Sequence, residues 1–421
     1  MKYVSPLIFL FFFLQSPDSA RAGQSDTLIE DHFLEKLLSK YPQFFSEILA
    51  KRDSFRVQII YTQINRDANN NPSFKNYYFN VDPDRYFYPA STVKMPVALL
   101  ALQRLNELRL PGLNANSTMI TGKAYSGQTE VLNDPLSPDG RPSVAQYVRK
   151  IFLVSDNDAF NRLYEFLGSQ YINLALHKMG YNNGQIVHRL DISLTEDENR
   201  HTNPVSFYDP NGRPLYQQPM QFGQQPYLIR HDSLGKAYYS SAGYIDHPMD
   251  FSRKNHLSLI DLRQILQSIL FPSSVPVTQR FNIRDEDYNL VYQYMSEYPA
   301  ESRFPPYDTA NYWDAYGKLL YWGSEKGKLT KSMRIFNKEG DAYGFLTDIS
   351  YFVDFDNHVE FMLSATIFCD RDQVMNDDKA DYDHLGLPFL KQLGRAVYEY
   401  DSKRKREFVP NLERFRIKYD K

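Results

Sequence analysis

Apolar residues recur at helical spacing over residues 28–51, where Leu34, Leu37, Leu38, Phe45 and Ile48 form one stripe, so this stretch predicts a helix. Residues 55–64, FRVQIIYTQI, are rich in branched and aromatic side chains and read as a strand. Asn69-Asn70-Asn71-Pro72 is a turn signal, and residues 74–82 read as the second strand of a hairpin. From residue 92 to about 330 the pattern is mostly helical. It is interrupted by irregular stretches near 205–250 and 271–333, both rich in Pro and Tyr. Helical periodicity returns clearly at 257–270, LSLIDLRQILQSIL. Three strand-like runs follow at 334–338, 345–355 and 360–369, and a helix over 385–400 carries Leu390, Leu393, Val397 and Tyr398.

This order predicts an α+β fold. An antiparallel five-stranded sheet is flanked by N- and C-terminal helices, and a large helical lobe is inserted between strands 2 and 3. In residue terms, 23–90 and 331–421 form an α/β lobe and 91–330 the helical lobe, with a cleft expected between them.

Composition narrows the setting. The chain has 421 residues, 42% hydrophobic, with a formal net charge of −3. That near-neutral balance offers no electrostatic case for nucleic acid or an anionic membrane. Lys2, the apolar run 7–14 and Ala20-Arg21-Ala22 read as an export signal cleaved after Ala22, which predicts a periplasmic or secreted protein. No later segment reads as a membrane span, and a monomer is expected. Cys369 is the only cysteine, so no intramolecular disulfide is available. The nine histidines show no ligand spacing, and the acidic stretch 370–383 lacks the glycine of a calcium loop, so neither cofactor nor metal is expected.

The candidate chemistry starts at "YPASTVKMP". Ser91 and Lys94 are three apart, and positions i and i+3 of a helix are neighbours. A serine hydroxyl becomes a good nucleophile when a base takes its proton, and a lysine can be that base when burial or nearby positive charge lowers its pKa. Ser-x-x-Lys alone is weak, because Ser233/Lys236 and Ser402/Lys405 repeat it, but only Ser91 opens an amphipathic helical run. Two further motifs follow in order. They are Ser155-Asp156-Asn157 in "LVSDNDAFNRL", and Lys338-Glu339-Gly340 after the strand RIFN. Taken singly, each also reads as a helix cap or a strand end with a turn glycine.

Together these motifs resemble the penicillin-recognising serine hydrolases, and class A β-lactamases in particular. The resemblance implies Ser91 as the acylated nucleophile, Lys94 as its proton partner and Ser155 as a proton relay. Asn157 would bind the substrate amide and Lys338 its carboxylate. The backbone N–H groups of Ser91 and Asp341 would form an oxyanion hole, and Gly340 would leave room for substrate. In "HRLDISLTEDENRHTNP", Asp191 would be the general base for a deacylating water.

Three positions depart from the family pattern. Asp191 stands for a glutamate, Thr195 for an asparagine, and Glu339 for a threonine or serine. The interval from Ser155 to Lys338 is also longer than usual. The expected partner is a small β-lactam or a peptidoglycan stem peptide. The expected activity is a β-lactamase, with a D,D-peptidase or a non-catalytic binding protein on the same fold as alternatives.

Overall fold

The computed structural model describes residues 32–420, so the export signal expected at 1–22 lies outside the described residues. Five strands form the central sheet: β1 (Gln58–Arg66), β2 (Pro72–Phe79), β3 (Met333–Ala342), β4 (Phe345–Asp354) and β5 (Val359–Phe368). Their order is β3-β4-β5-β1-β2 and every pairing is antiparallel. The helical lobe enters between β2 and β3, as the chain pattern implied. β3 is therefore an edge strand that can face the inserted lobe.

Side chains alternate across the sheet and feed two cores. Ile59, Tyr61, Leu346 and Phe352 pack under three helices, α1 (Phe33–Leu38), α2 (Pro42–Ala50) and, at the chain's other end, Leu387–Lys403. Ile60, Ile349, Tyr351 and Val353 face the helical lobe. That lobe is built on α3 (Lys94–Leu108), α4 (Val144–Val154), α5 (Asn157–Lys178), the short α6 (Glu196–Arg200), α7 (Leu259–Leu270) and α8 (Asp285–Ser296). The C-terminal helix Leu387–Lys403 is α9. No helix among the described residues is long and apolar enough to cross a membrane.

Three local expectations are corrected. The single helix over 28–51 is two helices, because Pro42 sits in the first turn of α2 and lacks the N–H that would continue α1. The third strand does not stop at residue 338. β3 runs on to Ala342, with Lys338 opposite Ile349 and Gly340 opposite Thr347. The irregular stretch 271–333 contains a regular helix, α8, whose first turn holds three acidic residues that suit a helix N-terminus.

The stretch 205–250 forms short ribbons. Thr118–Thr121, Val205–Tyr208 and Pro214–Gln218 make one small sheet. Ala237–Ser240, Gly243–Ile245 and Val374–Met375 make another, beside the cleft. After α9 the chain crosses back to the helical lobe. Phe415 packs on Phe336 and Tyr351, and Asp420 bonds Gln293 and Glu297.

Candidate active site

Ser91 sits in a single 3-10 turn, Ala90–Val93, immediately before α3. This turn packs against edge strand β3. A Cβ on Gly340 would lie 2.7 Å from the Ser91 N, 2.8 Å from the Pro89 O and 2.9 Å from the Thr92 N. Those neighbours are backbone and cannot swing aside. Gly340 thus makes room for the turn that carries Ser91, a packing role beside the substrate role the resemblance implied. The Ser91 hydroxyl is partly exposed and makes no hydrogen bond among the described residues.

Lys94, the first residue of α3, is fully buried. Its Nζ donates to the backbone O of Ser155, to Ser155 Oγ at 3.2 Å and to Asn157 Oδ1 at 2.6 Å. Burial, then the nearby Lys338 ammonium, pull its pKa down to about 7. A lysine lowered this far is the kind that can act as a base near neutral pH.

Ser155 closes α4 in the left-handed region, φ 58, which turns its Oγ between two lysines. Lys338 Nζ donates to that Oγ at 2.9 Å. Asp156, next in the chain, caps α5 by accepting from Ala159 N, and this sets Asn157 at the helix start. One side chain thus links the motifs of α4 and β3 to the lysine of α3.

Glu339 neither enters the cleft nor stays unpaired. Lys338 Nζ donates to its Oε1 and to its backbone O, both at 2.9 Å. Burial raises the carboxyl's pKa, but the Lys338 ammonium, with Lys318 behind it, holds it below the usual carboxylate value. Gly317 leaves the space this requires, since a Cβ there would stand 3.1 Å from Glu339 Oε2. Lys318 is itself buried. It donates to Met295 O, Ile335 O and Asn337 Oδ1, and burial brings its pKa down to about 8.

The loop carrying Asp191 has a firm frame. Arg189 donates to Glu165 Oε1, Glu198 O, His201 O and Asn203 Oδ1. Asn161 bonds both the N–H and the carbonyl of Leu190. The Asp191 side chain is exposed, and its one hydrogen bond among the described residues, from Asn157 Nδ2, is 3.4 Å long. Thr195 caps α6 in a reciprocal pair with Glu198, so its hydroxyl is already engaged. Neither Arg189 nor Asn161 stood out in the sequence. "HRLD" held the only hint, an arginine two residues before the candidate base.

Ser91, Ser155, Asn157, Asp191 and Asp341 line one cleft of about 430 Å³, together with Tyr88, Tyr316, Tyr343 and Asn376. Five of its residues hold left-handed backbone without being glycine: Ala90 (φ 45), Ser155, Asp191 (φ 56), Tyr343 (φ 50) and Asn376 (φ 60). Such strain costs about 1–2 kcal/mol per residue and clusters at functional sites. Lys94 and Lys338 lie behind this surface. Among the described residues, no three His, Cys, Asp or Glu side chains are grouped so as to hold a metal ion.

Fold and site together define a two-lobed α+β protein with a Ser-x-x-Lys centre at the sheet's edge. Residues 43–211 match the model of the Beta-lactamase enzyme family. That stretch contains Ser91, Lys94, Ser155, Asn157 and Asp191, whereas Lys338, Gly340 and Asp341 lie beyond it. No curated protein matches the chain.

Among solved structures, the chain is similar to a β-lactamase from Sphaerobacter thermophilus at 11% identity and a TM-score of 0.47, covering 86% of this chain and 99% of that one. It is similar to a class A β-lactamase from Clostridium kluyveri at 14% identity and 0.46, covering 84% and 97%. It is also similar to PBP-A at 15% identity and 0.47, covering 88% and 97%.

Proposed function

We propose that the protein is an exported serine hydrolase that opens a β-lactam amide through an acyl-enzyme on Ser91. The observation that carries this reading is the state of Lys94, enclosed, depressed to a pKa of about 7 and bonded to both Ser155 and Asn157. As the free amine, Lys94 keeps two N–H groups for the Ser155 carbonyl and Asn157, and has a lone pair to accept the Ser91 proton. The Ser91 oxygen adds to the amide carbonyl. The C–N bond then breaks and the leaving nitrogen takes a proton through Ser155, which bridges Lys94 and Lys338. Asn157 orients the substrate amide. The backbone N–H groups of Ser91 and Asp341 receive the developing oxyanion. Asp191 directs water onto the acyl group, which regenerates Ser91 and releases the acid.

The exposure of Asp191 favours a second reading. A loosely held base deacylates slowly, which suits a D,D-peptidase or acyl transferase working on peptidoglycan stem peptides. Incubation with a chromogenic cephalosporin and a fluorescent penicillin, beside Ser91→Ala, separates these readings. Turnover that vanishes in the variant supports the β-lactamase. A lasting adduct without turnover supports the peptidase, and absence of any label leaves a binding protein.

A further inference from the structure

The charged groups that a substrate would meet in this cleft are carboxylates. Asp191 and Asp341 line it, and no lysine or arginine does so. The two lysines behind the surface have no donor to spare. Lys338 spends three N–H bonds on Ser155 Oγ, Glu339 O and Glu339 Oε1. Lys94, even as an ammonium, spends three on Ser155 O, Ser155 Oγ and Asn157 Oδ1. Lys254 does not line the cleft; its ammonium rests against Tyr343, with Nζ 3.5 Å from the hydroxyl and 5.5 Å from the ring centre. A substrate anion would therefore lose its water shell against carboxylates, with no cationic donor among the residues that line the cleft.

We propose that this cleft selects amides whose leaving half is neutral or positively charged beside the scissile bond, with Asp341 and Glu339 as the specificity-determining residues. The inference rests on acylation at Ser91 and refines it. Glu339 acts through Lys338 and is a positioning residue. By pairing with the Lys338 ammonium it offsets a charge that would otherwise attract a carboxylate, and the room left by Gly317 lets it do so. Asp341 acts directly, presenting its carboxylate at the cleft wall next to the N–H expected to serve the oxyanion.

A matched series decides the matter: one penicillin as its free acid, its methyl ester and its diethylaminoethyl ester. These share the acyl group and the scissile amide and differ beside it in charge and in the size of the ester, so the two esters control for bulk. Formation of the protein adduct is followed by intact mass at pH 8, and a fluorophosphonate probe reports Ser91 reactivity independently of that charge. The expected result is adduct formation at least about tenfold faster with the two esters than with the free acid, narrowing in 1 M salt. Asp341→Asn and Glu339→Gln are each expected to shrink the ester-to-acid ratio. A general loss of folding would slow all three compounds alike and leave that ratio unchanged. Equal or faster reaction of the free acid, or a ratio untouched in both variants while their fluorophosphonate labelling is retained, overturns the specificity while leaving Ser91 acylation standing. Absence of any adduct, including from the fluorophosphonate, overturns both.

Discussion

The two halves of the cleft are built to different standards. On one side, Lys94 and Lys338 are fully enclosed and converge on Ser155 through bonds of 3.2 Å or less, and β3 presses against the Ser91 turn. On the other side, Asp191 hangs in solvent from a single 3.4 Å contact, although Arg189 and Asn161 fix the backbone beneath it. Enclosure tunes a lysine into a base and fixes its direction, while an exposed carboxylate keeps its rotamer freedom. The Ser91 half of the cleft is thus organised without a ligand, and the Asp191 half is not. On the proposed reading, that asymmetry makes an acyl-enzyme form faster than it decays.

The comparison can be broken most severely at the lysine. Lys94→Met keeps the volume and removes the base, so the acylation rate should fall by about 10³-fold, within the usual range for losing a general base. A loss under tenfold, read by adduct formation, would mean that another group takes the Ser91 proton. Next comes pH. With Lys94 near 7, acylation should rise about tenfold per unit below that value and level off above it. The Lys338 charge helps to depress Lys94, so Lys338→Met should move the midpoint upward. An unmoved midpoint would separate the two lysines electrostatically.

Packing gives a smaller effect. Gly340→Ala forces a methyl against the Ser91 turn and should cost about 1–3 kcal/mol, seen as a lower Tm together with slower acylation. The smallest change belongs to the loose half. Asp191→Asn should slow deacylation by less than about tenfold, because little is held in place to be lost. Asp191→Glu, with one more methylene of reach, should speed it severalfold. A large loss in Asp191→Asn would show that the carboxylate is gripped once substrate is bound.

Much of the frame was legible in the chain. The two-plus-three strand order and the long helical insert follow from alternation and periodicity, and the motif order brought Ser91, Lys94, Ser155 and Asn157 to one place. What escaped the sequence depends on contacts far along the chain. The end of β3 was misjudged because an edge strand facing a polar cleft carries Lys338, Glu339 and Asp341, which read as the residues of a turn. The helix break at Pro42 was visible, yet the apolar stripe runs through it. The destination of Glu339 rests on Gly317, a glycine in an irregular stretch that no local pattern connects with β3.

The most direct test of the central claim is the intact mass of the protein through time after mixing with the penicillin methyl ester at pH 8, with the modified residue located by peptide mapping. The account predicts one acyl group per chain, carried on Ser91, appearing faster than it disappears and absent from Ser91→Ala. An unchanged mass, or the same adduct on the Ser91→Ala protein, would contradict it.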